Sequence, residues 1–248
     1  MYEGMLAETV TITGHDGDDI NAYSARPLGP GPFPGVVVIH HAPGWDEATA
    51  EITRRFAHHG YVAICPNLHY REAPRSSPDD AASAVRAKGG VPNERLIGDV
   101  SGAMHALRAA PASNGKVACI GYCSGGRQSF LAATALPVDA AVVCYGAFIV
   151  GSPPGAPASM TPIIDRARDL RCPVLGLFGA EDQHPSPEEV SQIDAKLTRL
   201  GKPHEFHTFA NAGHGFFATD KEMYRVVAAN EGWKLIFEFF GRTLAATT

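Results

Sequence analysis

Residues Lys116 to Ala135 read KVACIGYCSGGRQSFLAATA, an apolar run broken by closely spaced glycines and resumed with helical spacing. Lys116 to Tyr122 predicts a strand and Ser124 to Ala135 a helix, which leaves Gly121-Tyr122-Cys123-Ser124-Gly125 at the turn between them. Glycines two residues either side of Cys123 let such a turn close tightly and lift the middle side chain above a sheet. The helix that follows offers backbone N–H groups to an oxyanion. This is the pattern of a nucleophile elbow with cysteine in the reactive position. The competing reading is a buried cysteine beside glycine-rich packing; the strand–turn–helix context favours the elbow.

Working outward, Val36-Val37-Val38-Ile39 is a run of β-branched residues suited to a strand buried on both faces of a parallel sheet. Asp46 to His59 has helical spacing and stops at Gly60, and Tyr61 to Cys65 is again a short apolar strand, completing a βαβ unit. Before it, Glu8 to Arg26 alternates and reads as an antiparallel hairpin broken at His15-Asp16-Gly17. Downstream, a polar loop from Asn67 to Val91 leads to a helix from Asn93 to Ala110. Strands are expected at Val138–Tyr145, Pro173–Gly179 and His204–Phe209, and helices at Pro187–Leu200 and Lys221–Gly241, with a loose Gly151–Ala158 segment between. Strands alternating with helices predict one α/β domain over residues 1–248, with a mostly parallel central sheet and helices on both faces.

Composition narrows the function classes. The chain has 248 residues, 45% of them hydrophobic and 19% charged, which suits a large folded core. A net charge of −5 argues against a nucleic-acid partner. The longest apolar run, Ala140 to Val150, is too short for a bilayer, so no membrane association is expected. MYEGMLAETV lacks the basic start and apolar stretch of a secretion signal. With five cysteines and no CxxC pair, reduced thiols and a cytoplasmic location are expected.

A cysteine nucleophile needs a base, and the base an orienting group. Asn211-Ala212-Gly213-His214-Gly215-Phe216 follows the last predicted strand, and Phe178-Gly179-Ala180-Glu181-Asp182 ends another. The order Cys123, Asp182, His214 is the triad order of the α/β-hydrolase sheet, and all three fall at strand ends, where open parallel sheets bind ligands. Taken singly, Asp182 could begin the next helix and His214 could be a turn residue. Glu181 is a neighbouring carboxylate that competes for the acid role.

With these residues in place, the chain resembles the dienelactone hydrolase family of α/β-hydrolases. The resemblance rests on PGVVVIHHAPG (34–44), GYVAICPNLHYR (60–71), NGKVACIGYCSGG (114–126), LGLFGAEDQHP (175–185) and AGHGF (212–216). It implies Cys123 as nucleophile, His214 as base, Asp182 as its orienter, and the backbone N–H groups of Ser124 and Ala42 as oxyanion donors. His41 stands where better-known members carry a glutamate near the resting thiol. Ala218 stands where they carry one carboxylate-gripping arginine, and Arg71 is the counterpart expected for the other. Only a modest preference for anionic substrates is therefore expected, with neutral esters still hydrolysed well.

Other features weigh less. His40-His41 and His58-His59 lack metal-ligand spacing, and His204 and His207 point to opposite faces of a strand, so no metal is expected. The absence of GxGxxG and GxxxxGK[ST] disfavours nucleotide binding, and no cofactor is expected. Cys65, Cys119, Cys144 and Cys172 lie in or beside apolar strands and read as core. Trp45 could line a substrate pocket or cover the sheet. Two functions are compatible with this: a hydrolase of small carboxylic esters or lactones, monomeric or a small homo-oligomer, and a redox-responsive or binding protein using Cys123 as a sensor thiol. A sensor needs no orienting acid, so the hydrolase is preferred.

Overall fold

Eight strands join in one sheet in the order β1-β2-β4-β3-β5-β6-β7-β8. The computed structural model describes residues 4–153 and 155–245; Pro154, inside the Gly151–Ala158 segment, and the outermost residues of the expected 1–248 domain lie outside them. β1 (Met5–Thr13) and β2 (Asp19–Pro27) form the expected hairpin, closed by a 3₁₀ turn at His15–Gly17. β3 (Phe33–Ile39), α1 (Glu47–His58) and β4 (Val62–Pro66) are the first βαβ unit. Then follow α2 (Pro78–Ala87), α3 (Asn93–Ala109), β5 (Ser113–Tyr122), α4 (Ser124–Ala135) and β6 (Ala140–Cys144). β7 (Val174–Gly179), α5 (Pro187–Arg199), β8 (His204–Phe209) and α6 (Val226–Thr243) complete the chain. β4 pairs antiparallel with β2, whereas β4-β3-β5-β6-β7-β8 are mutually parallel.

The β-branched run explains the layering. Val37 and Ile39 face a core shared with Leu96, Val100 and Met104 of α3 and with Phe130 and Leu131 of α4. Val36 and Val38 face the opposite core, formed with Phe56 of α1 and Trp233, Ile236 and Phe240 of α6. Phe56 anchors this second layer, with its ring 5.5 Å from that of Trp233 and 5.8 Å from that of Phe237. Helices cover both faces, so the strands read as continuous apolar runs rather than alternating ones.

Two boundaries differ from expectation. The segment expected as a polar loop, Asn67 to Val91, contains α2; the Ser77 side chain accepts the Asp80 N–H, and Pro78 opens the helix. Its buried side is small, consisting of Ala81, Ala82 and Val85, which left little apolar periodicity to detect. The last helix starts at Val226 instead of Lys221, because 221–225 makes turns that return the chain to the sheet, with the Arg225 N–H donating to Phe216 O. No helix among the described residues is long and apolar enough to cross a membrane.

Topology places the site. The chain runs from β3 outward to β4, then returns past β3 to β5, so its direction of winding reverses between β3 and β5. Open α/β sheets hold ligands in the crevice beyond the strand C-termini at such a reversal. Ala42 follows β3 there and Cys123 follows β5.

Candidate active site

Cys123 sits between β5 and α4 with φ 58° and ψ −121°, a backbone conformation that costs a non-glycine residue roughly 1–3 kcal/mol. The turn is held by the Cys123 N–H donating to Cys144 O (3.1 Å) and the Gly126 N–H donating to Cys123 O (2.9 Å). The flanking glycines are obligatory. A Cβ on Gly121 would come within 1.9 Å of Gly125 O, and one on Gly125 within 2.3 Å of Ile39 O. Cys123 is half-buried, whereas Cys65, Cys119, Cys144 and Cys172 are buried. Burial pushes the Cys119 thiol up to about 11 and Cys172 to about 12, and raises Cys65 and Cys144 as well. Those four are core residues.

His214 and Asp182 meet across the ends of β7 and β8. The two loops are stitched together by the Ala180 N–H donating to Phe209 O and the Glu181 N–H to Ala212 O, both at 2.9 Å. Asp182 is 2% exposed; one carboxylate oxygen accepts the His184 N–H (2.9 Å) and the other meets His214 Nδ1 (2.9 Å). That contact assigns the proton to Nδ1 in the neutral ring and leaves Nε2 for Cys123. Burial opposes a charge on His214, but hydrogen bonds to Asp182 and Cys123, and their charges, outweigh it and raise the imidazole to about 10. The Tyr145 ring stands edge-on to His214 at 5.1 Å and limits its tilt. Glu181 is exposed.

Cys123, Ser124 and Ala42 line one cavity with His69, Val85, Arg86, Val91, Arg127, Ala147, Phe148 and Met160. Its empty space is about 740 Å³ with the open mouth included. None of the described residues lining it is a carboxylate. Arg127 lies one turn beyond Cys123 on α4 and is 3% exposed. Its guanidinium donates to Phe148 O (3.3 Å), Asn93 Oδ1 (3.3 Å) and Thr161 O (2.6 Å). Burial lowers Arg127 to about 10, which still leaves it a cation at neutral pH. Arg86 projects from α2 at the exposed rim.

Three sequence expectations are corrected here. Arg71 lies outside the cavity lining. Its Nε donates to Asp18 (2.7 Å), and its Nη1 and Nη2 fork onto the fully buried Asp99 (2.9 Å each). It fastens the β1–β2 turn to α3, with its guanidinium committed to two carboxylates away from the cavity. His41 turns to Asp46, with Nε2 2.6 Å from the carboxylate, and lines a separate small pocket with Tyr122, Tyr145 and Ala218. Burial works against that carboxylate, yet the bond and charge of His41, with Thr49, hold it down at about 2. The Trp45 indole donates to Cys65 O (3.0 Å) and packs on the α1–α6 core, so it covers the sheet. Sequence reading missed His69, Arg86 and Arg127. The spacing of four from Cys123 could have flagged Arg127; Arg86 was hidden inside the supposed loop.

A mostly parallel sheet with helices on both faces and a cysteine on the β5–α4 elbow defines an α/β-hydrolase fold. Residues 20–244 match the dienelactone hydrolase family, so the chain belongs to that family and is a hydrolase. It is 32% identical over 240 residues to a putative carboxymethylenebutenolidase of Methylorubrum extorquens, covering 96% of this chain and 81% of the relative. A putative carboxymethylenebutenolidase of Escherichia coli is 33% identical over 233 residues, covering 90% and 83%. Among solved structures, a putative dienelactone hydrolase of Klebsiella pneumoniae superposes with a TM-score of 0.85 at 28% identity, covering 96% of this chain and 99% of that one.

Proposed function

We propose that the protein is a cysteine hydrolase of small carboxylic esters or lactones that works through Cys123, His214 and Asp182. The observation that carries this reading is the 2.9 Å contact of His214 with buried Asp182, together with the one accessible thiol, Cys123, which lines an open cavity. The Cys123 thiolate attacks the carbonyl carbon, and the backbone N–H groups of Ser124 and Ala42 receive the oxyanion. Collapse expels the alkoxide, which takes a proton from the His214 imidazolium, and leaves a thioester on Cys123. His214 Nε2 then removes a proton from water; the hydroxide attacks the thioester, and the thiolate departs with release of the acid. A lactone gives the corresponding hydroxy acid. Asp182 keeps the ring in register and stabilises its charged form, as the acid of such triads does. Arg86 and Arg127, with no carboxylate lining the cavity, also suit substrates bearing a negative charge, a role that Arg71 outside the cavity does not fill.

The test is pre-steady-state hydrolysis of 4-nitrophenyl acetate. A burst of nitrophenol stoichiometric with enzyme, followed by steady turnover and lost in Cys123→Ala, is the expected result. Full turnover in Cys123→Ala overturns the assignment. A single stoichiometric release without turnover favours the sensor-thiol reading.

A further inference from the structure

His69 has no part in the chemistry above, yet its ring forms a wall of the cavity that holds Cys123. It follows β4 by three residues and is 5% exposed. Its Nδ1 is buried without a hydrogen-bond partner among the described residues. Gly44, at φ +116°, seals that edge: a Cβ there would stand 3.2 Å from Nδ1, so only glycine lets the chain pass this closely. On another side His69 meets the His40 ring edge-to-face at 4.6 Å. His40 cannot help it. One of its nitrogens donates to His41 O (2.9 Å) and the other accepts the Leu68 N–H (3.2 Å).

Burial holds His69 down at about 4 and His40 at about 3, so both rings are neutral in ordinary buffers. A neutral imidazole carries one N–H. Buried N–H groups without acceptors are rarer than buried acceptors without donors, which puts the proton of His69 on Nε2 and leaves Nδ1 as a bare lone pair. Nε2 is then the polar atom that the ring offers to the cavity. The lining it shares mixes apolar Ala82, Val85, Val91 and Ala147 with the neutral Gln128 and Ser159, and no hydrogen bond joins either of these to His69 among the described residues.

We propose that His69 is a specificity-determining residue whose Nε2–H takes an uncharged oxygen of the substrate other than the ester's own. The preferred class is then esters and lactones carrying a keto or ether oxygen a few atoms from the scissile carbonyl. A neutral donor matches an uncharged oxygen, because neither partner of that bond brings a charge to be desolvated. A pocket built to donate to an oxygen also discriminates against the analogue lacking it, since the donor is then left unpaired.

The inference rests on the hydrolase reading, and its test separates the two. kcat/KM is measured for the 4-nitrophenyl esters of 4-oxopentanoic and 4-methylpentanoic acid, near-isosteres in which a methyl group takes the place of the keto oxygen. Wild type is expected to prefer the oxo ester by about tenfold, the size of one well-made neutral hydrogen bond. In His69→Phe the ratio should fall to about one. His69→Gln, which keeps an N–H near the same place, should retain part of the preference, a rescue that a purely structural role would not produce. Equal rates for both esters in wild type, or an unchanged ratio in His69→Phe, overturn the proposal while leaving the hydrolase reading intact. Failure of wild type to hydrolyse either ester overturns both.

Discussion

The two sides of the cavity are built differently. On the sheet side, Cys123, Asp182 and His214 sit within a few residues of strand ends and are fixed by short backbone bonds between neighbouring loops. On the opposite side, α2 and the chain after β6 form a wall that owes its place to side chains, above all the Arg127 guanidinium gripping Phe148 O and Thr161 O. The sheet side holds the groups whose geometry chemistry cannot relax. The wall carries Arg86, whose identity can vary without disturbing the sheet, while His69 after β4 and Arg127 on α4 reach the same cavity from the sheet side. Reaction type and substrate preference are thus assigned to separate parts of one fold, as is usual for sites set on rigid scaffolds.

Substitutions can break or sharpen that division. The largest effect is expected on the sheet side: Asp182→Asn should lower kcat by about 10²–10⁴-fold by misorienting His214, whereas Glu181→Gln should change it less than about twofold. Steady-state kinetics on a nitrophenyl ester checks this, and equal losses would show that the wrong carboxylate was chosen. The same Asp182→Asn variant carries a stability signature. His214 is raised in the folded protein from its ordinary 6.5 to about 10, so the stability it contributes is complete below pH 6.5 and fades as pH rises through about 10. Urea unfolding should therefore show a larger destabilisation by Asp182→Asn at pH 6 than at pH 10.5.

Next in size is a change that leaves chemistry alone. Arg71→Ala strands Asp99 in the core and should cost about 3–5 kcal/mol of stability, read by denaturant unfolding. The ratio of kcat/KM between anionic and neutral esters should not move. A changed ratio would return Arg71 to the substrate site. The smallest effect belongs to the rim: Arg86→Ala should reduce kcat/KM for a succinate half-ester by about two- to fivefold relative to a matched neutral ester, with kcat nearly constant. A drop in kcat equal to that in kcat/KM would mean that wall and sheet act as one unit.

What the sequence disclosed follows the same line. Sheet-side residues were legible because apolar runs mark strands, strand ends mark loops, and glycines at 121 and 125 mark a turn with no room for a Cβ. α4 and β8 match their expected spans. The wall was opaque because its logic is long-range. Arg71 looked available until Asp18 and Asp99, distant in sequence, were found around it. His41 looked aimed at the thiol until its partner proved to be Asp46, on the far side of the Ala42–Gly44 turn. α2 buries only alanines and one valine, too little contrast to register as a helical stripe.

The beginning of α4 has one more consequence. At α1, α2 and α5 the first turn is closed by a side chain: Asp46, Ser77 and Ser186 each accept a backbone N–H. α4 follows Cys123 with no such cap and no acidic residue in its first turn. The fold thereby forgoes about 1 kcal/mol of ordinary helix stabilisation. In return, the positive end of the α4 macrodipole, equivalent to about half a unit charge, stays free for the anions that form beside it. In the proposed mechanism, thiolate and oxyanion become the transient caps of this helix. Ser124→Asp, which would steady most helices, would set a permanent negative charge where the reaction needs to place a temporary one, so a higher melting temperature with lower turnover is the expected pairing.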